Sequence, residues 1–572
     1  MNRNVESHFA LNPTNIDIRR STFDRSHSLK TSFNVGDIVP FFVDEVLPGD
    51  TFNVDTSKVV RLQTLLTPVM DNIYLDTYFF FVPNRLTWSH WKQFNGENTE
   101  SAWIPQTEYE IPQITAPASG GWSVGTIADY LGVPTGVPNL SVSALPFRAY
   151  ALVMNEWFRD ENLSDPLVVP VDDATVAGVN TGTFVTDVCK GGLPYKAAKY
   201  HDYFTSCLPS PQKGPDVTIP VAEAGNYAVV GNGKALPLWN GSNIGVLGSL
   251  SESGYRTFAA SSLSLGSPVS SSIDDINSPV FGHLGVPTEA QLGGDLSKSG
   301  LIAVASGNAA AATINQLRMA FQIQKLYEKD ARGGSRYIEI LKSHFGVTSP
   351  DARLQRPEYL GGNRVPININ QVVQQSATAS GETAQGTVTG MSVTTDTHSD
   401  FTKSFTEHGF VIGVMVARYD HTYQQGLERF WSRKDRFDYY WPVFANIGEQ
   451  AVKNKEIYAQ GPAQKDSAGN VIDDQVFGYQ EAWADYRYKP SRVTGEMRSQ
   501  YAQSLDVWHL ADDYSALPAL SDSWIREDKT NVDRVLAVTS SVSNQLFADI
   551  YIKNRTTRPM PMYSIPGLID HH

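Results

Sequence analysis

The sequence predicts a mainly β protein, a sandwich of antiparallel strands joined by long connections, and three observations point to it. The first is composition: 41% hydrophobic residues, 26 Phe, 25 Tyr and 11 Trp stand beside 44 Gly and 32 Pro, with only 19% charged. That is the mixture of turn-rich β proteins. The second is alternation, with Val39, Phe41 and Val43 sharing one face before a Pro48-Gly49-Asp50 turn and Phe52, Val54, Val60 and Leu62 after it. The third is the run Tyr78-Phe79-Phe80-Phe81-Val82, apolar on both parities and stopped by Pro83, which predicts a strand buried on two faces.

Taken in chain order, residues 1–32 are polar, with five cations (Arg3, Arg19, Arg20, Arg25, Lys30) against Glu6, Asp17 and Asp24, and read as an N-terminal arm. Residues 33–213 carry the first strands of the core and a helix over Pro146 to Phe158. From Gly214 to Gly307 the chain becomes rich in Gly and Ser and nearly uncharged, which suits a loop insertion better than core. Residues 308–556 resume the core. There Thr313 and Gln316 suggest a capping box, and the stripe Leu317, Phe321, Ile323, Leu326, Tyr327 a helix ending at Gly333-Gly334. A second, shorter helix runs from Ser335 to Gly346, so helices are expected at about 313–345. Val535 to Thr539 and Leu546 to Lys553 flank the turn-like residues 540–544 and predict a hairpin. Residues 557–572, with three prolines inside Arg558 to Gly567, cannot continue a helix or a central strand and read as an extended C-terminal arm.

The formal net charge is −14, from 46 basic and 60 acidic residues, so a surface that wraps nucleic acid over its whole extent is excluded and any DNA contact is local. Cys189 and Cys207 make neither a disulfide framework nor a metal site; two buried free thiols and folding in a reducing cytoplasm are expected. The N-terminus has no apolar signal region. The longest apolar stretch, Phe410 to Ala417, is far short of the roughly 18 residues that span a bilayer, so no membrane insertion is expected.

Enzyme chemistry finds little footing. Gly231-Asn232-Gly233-Lys234-Ala235 has the wrong spacing for a phosphate loop, and no His-Glu-x-x-His or Cys-x-x-Cys pattern exists for zinc. Glu481 with Asp485 and Asp512 with Asp513 are the carboxylate pairs available for acid/base work, in a chain with 60 carboxylates. The expectation is no catalytic residue, no metal and no cofactor. A contrasting class is a β-sandwich glycan-binding protein or glycoside hydrolase, with Trp88, Trp91, Trp103 and Trp122 lining a sugar groove. A third is a DNA-binding protein outside any shell, which the net charge disfavours.

For nucleic acid, the informative segment is Tyr486-Arg487-Tyr488-Lys489-Pro490-Ser491-Arg492, which interleaves cations for phosphate with rings for base stacking. Alternation along one strand would give the same pattern without a ligand. Arg3, Arg19, Arg20 and Arg25 are the other DNA-contact candidates, because basic arms neutralise phosphate. Arg558 and Tyr563 are candidates for anchoring a neighbouring subunit, since Arg and Tyr dominate buried interface energetics.

Several stretches together resemble the major capsid protein of microviruses, of the gokushovirus type. They include Arg20-Ser21-Thr22-Phe23-Asp24-Arg25-Ser26-His27, Asp44-Glu45-Val46-Leu47-Pro48-Gly49-Asp50-Thr51, and Phe80-Phe81-Val82-Pro83-Asn84-Arg85-Leu86. Asn155-Glu156-Trp157-Phe158-Arg159-Asp160, Leu354-Gln355-Arg356-Pro357-Glu358-Tyr359-Leu360-Gly361-Gly362 and Asp438-Tyr439-Tyr440-Trp441-Pro442 follow. Phe477-Gly478-Tyr479-Gln480-Glu481-Ala482-Trp483, Leu505-Asp506-Val507-Trp508-His509 and Ser564-Ile565-Pro566-Gly567-Leu568 close the series. The islands run in one order over nearly the whole chain, and only residues from about 215 to 306 fall outside the likeness.

The resemblance implies an eight-stranded antiparallel jelly roll, the viral β-sandwich, whose long inter-strand loops hold a few helices and one large insertion. It implies sixty copies in a T=1 icosahedral shell around circular single-stranded DNA, in a virion assembled in the bacterial cytoplasm. Implied partners are the chain itself, the genome, a small basic internal DNA-packaging protein, a minor capsid or pilot protein, and a host cell-surface receptor met by the 214–307 insertion as a threefold protrusion.

Overall fold

A computed structural model describes residues 19–97, 107–215, 217, 228–231, 237–239, 244–246, 301–304, 314–333, 337–346, 355–376 and 384–563. The chain divides into two units, residues 1–213 with 328–572, and residues 214–327.

Nine strands of the first unit carry its architecture: β1 (Ser21–Asp24), β2 (His27–Phe33), β3 (Val39–Val46), β4 (Thr51–Leu62), β5 (Ile73–Pro83), β6 (Glu358–Pro366), β7 (Thr394–Ser404), β8 (Gly409–Tyr419) and β9 (Leu546–Arg558). They form two antiparallel sheets. One runs β1-β9-β4-β7 with β2 also on β9, and the other runs β6-β5-β8-β3. The turn between β3 and β4 therefore carries the chain from one sheet to the other. Gly49 makes that corner with φ +89°, a conformation open to glycine and costly for other residues.

The expected two-sided burial of β5 is present, and alternation decides which core each ring enters. Phe79 and Phe81 point between the sheets, into a cluster with Phe41, Phe52, Val54, Phe401, Phe405, Ile550 and Ile552. Across that gap Phe79 lies 5.3 Å from Phe401 and Phe81 lies 4.6 Å from Phe405, centroid to centroid. Phe80 and Val82 point the other way, into a second core where Trp122, Ile127, Phe147 and Tyr150 of the long connection after β5 cover the sheet. Each such fully buried side chain contributes about 1.5–3 kcal/mol. The β6-β5-β8-β3 sheet is thus covered on both faces.

Among the described residues, the other sheet is covered on one face only. Along β9 the burial alternates, with Leu546, Ala548, Ile550 and Ile552 inside and Phe547, Asp549, Tyr551 and Lys553 outside. Its outer face is laced by polar rungs, Asn53 to Thr402 at 2.7 Å, Thr51 to Ser404 at 2.8 Å and Ser57 to Thr397 at 3.2 Å.

The helices form where the apolar spacing predicts them: α1 (Leu145–Val153), prolonged by a π-helical turn to Phe158, α2 (Ile314–Gly333) and α3 (Tyr337–Phe345). Two expectations are corrected. The C-terminal hairpin does not form: of the expected strand Val535 to Thr539, Val535 ends a short helix (Thr530–Val535), Leu536 makes only an isolated bridge to Leu65 and residues 537–539 are irregular, while β9 pairs instead with β4, β1 and β2. Residues 21–24 and 27–33, expected in a polar arm, are strands, because pairing with β9 satisfies their backbone whatever their side chains. Arg3 and the rest of residues 1–18 lie outside the described residues, as do residues 564–572.

Within the second unit, Ala228–Gly231 pairs antiparallel with Leu301–Val304, and Pro237–Trp239 with Ile244–Val246. The remainder of the 214–307 segment, including Asn232 to Ala235, lies almost wholly outside the described residues.

Candidate interaction surfaces

The arginines near the two termini converge on the β3–β4 corner. Arg25 grips Asp44 with both guanidinium nitrogens, at 2.5 and 2.8 Å. Arg20 donates to the Gly49 carbonyl and, at 3.4 Å, to Thr51 Oγ1. From the other end of the chain Arg558 donates to Asp50 at 3.0 Å and to the Glu45 carbonyl at 2.6 Å. Asp50 is itself fully buried and accepts from the Leu47 amide at 2.9 Å, so Arg558 answers a charge that water cannot reach. Three candidates named for DNA or for a neighbouring subunit are in this way occupied within their own chain. Arg19 is exposed and has no ion-pair partner among the described residues, and Tyr563 is 76% exposed.

The segment 486–492 is not one alternating strand. It is the end of a 3-10 turn (Ala484–Tyr486), a loop, and a two-residue strand (Ser491–Arg492) parallel to Thr422–Tyr423. Its rings are half exposed, Tyr486 by 51% and Tyr488 by 50%. Its cations are paired: Arg487 with Glu481 at 2.8 Å, and Lys489 and Arg492 with opposite oxygens of Glu428.

Beside it lies a larger feature that periodicity did not reveal. Three short 3-10 turns, Arg429–Ser432, Arg436–Asp438 and Pro442–Phe444, hold Phe430, Trp431, Phe437, Tyr439, Tyr440, Trp441 and Val443 toward solvent, Trp431 by 67% and Val443 by 87%. The turns are fixed by local bonds. Asp435 accepts from the Phe437 amide at 2.9 Å, Asp438 from the Lys434 and Asp435 amides at 2.7 and 3.2 Å, and Trp441 Nε1 donates to the Arg436 carbonyl at 2.9 Å. The two Asp438 amide bonds hold its carboxyl below the usual range.

Trp483 joins this ridge to the 486–492 segment. It sits in the left-handed region at φ +63°, unusual for a bulky residue, and its indole donates to the Phe444 carbonyl at 2.9 Å while its amide donates to Gln450 at 3.0 Å. Arg433 pairs with Asp485 and lies 4.3 Å over the Tyr486 ring. The cue that could have found the ridge is the density of Arg and aromatic residues between 429 and 441, which has no helical or strand period.

The carboxylates singled out for acid/base work are engaged elsewhere. Asp512 and Glu527 flank the buried imidazole of His421, each 3.0 Å from one ring nitrogen. Burial alone would depress the imidazolium, but Glu527 and Asp512 outweigh it and raise His421 to about 10. Burial opposes ionisation of Asp512, yet His421 and Lys199 together hold it well below its ordinary value. Glu481 pairs with Arg487, and Asp485 with Arg433. No group of acidic, His and Cys side chains among the described residues could hold a metal ion.

The proposed sugar-binding tryptophans are corrected as well. Trp88 and Trp122 are fully buried, Trp122 in the second core, and cannot line a groove; Trp103 lies outside the described residues. Cys189 and Cys207 are buried free thiols, as expected.

Comparison with known proteins locates the fold in biology. Residues 13–568 match the family described as capsid protein (F protein). The chain is 42% identical to capsid protein VP1 of Chlamydia phage 1, over 99% of this chain and 98% of that protein. It is likewise 42% identical to capsid protein VP1 of Bdellovibrio phage phiMH2K, over 99% and 98%, and of Spiroplasma virus 4, over 96% of each.

Proposed function

The chain belongs to the phage capsid protein (F protein) family, as a structural protein of the gokushovirus type, and from that premise we propose that sixty copies close a T=1 shell around circular single-stranded DNA. One observation carries the reading: the likeness runs from residue 13 to 568 through a sandwich whose second sheet is covered on both faces. A block so packed is stiff enough to tile, and its loops are free for contacts.

The strand order supports a jelly roll. With β1 and β2 taken as one interrupted strand, eight strands divide four and four, and the chain passes between the sheets at every step but β5–β6. The 214–307 insertion is proposed as the protrusion that meets a host receptor. Nearly uncharged Gly/Ser loops are tolerated outside a core, and this segment belongs to a unit of its own.

With a net charge of −14, the chain needs help to neutralise a genome, which supports a small basic packaging protein as a partner; a minor capsid or pilot protein is proposed from the family resemblance alone. Arg3 and Arg19 are the proposed points of DNA contact on this chain, with Arg20 and Arg25 after release from their internal partners; the cations of 486–492 are held by Glu481 and Glu428 and are not proposed for it. Residues 557–572 and Tyr563 are proposed to cross to a neighbouring subunit. Two buried thiols suit assembly in a reducing bacterial cytoplasm before release as virions.

The test is sedimentation and negative-stain microscopy of particles from producing cells, with the nuclease-resistant DNA measured. Closed shells of uniform size holding single-stranded DNA are expected. A folded chain that remains monomeric would end the proposal.

A further inference from the structure

We propose that the ridge formed by residues 430–447 and 486–490 is a docking face for a second copy of this chain. The proposal rests on the capsid reading and names the surface that serves it.

The ridge has the composition of an interface centre. Trp431, Trp441, Tyr439, Tyr440, Phe430 and Phe437 are each at least 40% exposed, and aromatic rings with Arg are the side chains that concentrate binding energy. Six aromatic side chains of about 150–250 Å² each, roughly half exposed, offer on the order of 500–700 Å². Val443 and Ile447 enlarge the patch toward the ~800 Å² that each partner contributes to a stable complex. A chain that stays alone in water rarely leaves a contiguous apolar patch so large.

The face is also prepared. Asp435, Asp438, the Trp441 indole and Trp483 already fix the turns, so docking orders little that is loose. Between Phe430, Arg433, Tyr486, Tyr488 and Pro490 lies a cavity of about 200 Å³, room for an inserted side chain of the kind that anchors interfaces.

Charge chooses between a protein and a nucleic acid. The cations nearest the rings are already neutralised, Arg433 by Asp485, Arg487 by Glu481, and Lys489 and Arg492 by Glu428. A DNA strand would have to displace those carboxylates, and Val443 and Ile447 would offer its bases nothing to stack on. Lys434 and Arg436 are the ridge cations without a carboxylate partner among the described residues. A second copy of a chain with net charge −14 supplies acidic groups for both.

The experiment compares hydroxyl-radical oxidation of Trp431 and Trp441, read by mass spectrometry, in dissociated chains, DNA-filled shells and empty shells. At least fivefold protection in both kinds of shell is expected. Protection confined to filled shells would mean that DNA covers the ridge, and equal reactivity in shells and free chains would mean that nothing does; either overturns the proposal while the capsid reading stands. If no shells form at all, the capsid reading falls and this face with it. The double variant Trp431→Ala/Trp441→Ala, with circular dichroism matching the parent, should lower shell yield at least tenfold; unchanged yield refutes the proposal.

Discussion

His421 is held between Glu527 and Asp512 at 3.0 Å from each, with its ring almost wholly removed from water. Removing one member of such a group strands the others, at a cost of about 3–5 kcal/mol. His421→Gln should therefore destabilise the folded chain by that amount at pH 6. The folded-state value near 10 lies above the ordinary 6.5, so the imidazolium contribution is complete below about pH 6.5 and disappears as pH climbs through 10. Urea titrations of parent and variant at pH 6, 8 and 10 should show a gap that narrows at each step. A gap independent of pH would mean that the ring is neutral in the fold.

At the scale of the strand, β5 and β9 give opposite expectations. Phe79, fully buried between the sheets and ringed by Phe41, Phe42 and Phe401, should cost about 3–5 kcal/mol as Phe79→Ala. Tyr551→Ser, on the open face of β9, should shift stability by less than about 0.5 kcal/mol. Chemical denaturation of both variants checks the pair, and comparable losses would mean that the outer face of β9 is covered. β5 was legible in the sequence because burial on two faces leaves no polar parity, and α2 and α3 because glycine stops mark their ends. The expected hairpin failed for a physical reason: Val535 is claimed by a helix that buries it with Val532 three residues before, Leu536 bridges to Leu65, and turn-like residues before a strand do not say which strand it will join. β1 and β2 escaped notice because an edge strand can be polar when its partner supplies the pairing. The aromatic ridge obeys no period, and the roles of Arg25 and Arg558 depend on carboxylates brought near only by folding.

For the whole molecule, the two units separate the sandwich from residues 214–327. Deleting residues 215–306 should therefore leave soluble chains that still form shells, while adsorption of the resulting phage to cells falls at least tenfold. Particle counts by microscopy and binding assays on host cells measure the two outcomes independently, and insoluble chains would show that the insertion is needed for folding. The open sheet is finished by the strand made last: Thr22 and Thr557, 535 positions apart, share a hydrogen bond across β1 and β9. A chain made only as far as residue 545 therefore lacks an inner strand of that sheet, and contacts so distant in sequence form slowly. Polypeptides broken off before Leu546 would lack the strand that β1, β2 and β4 all pair with, and should not fold as this sandwich.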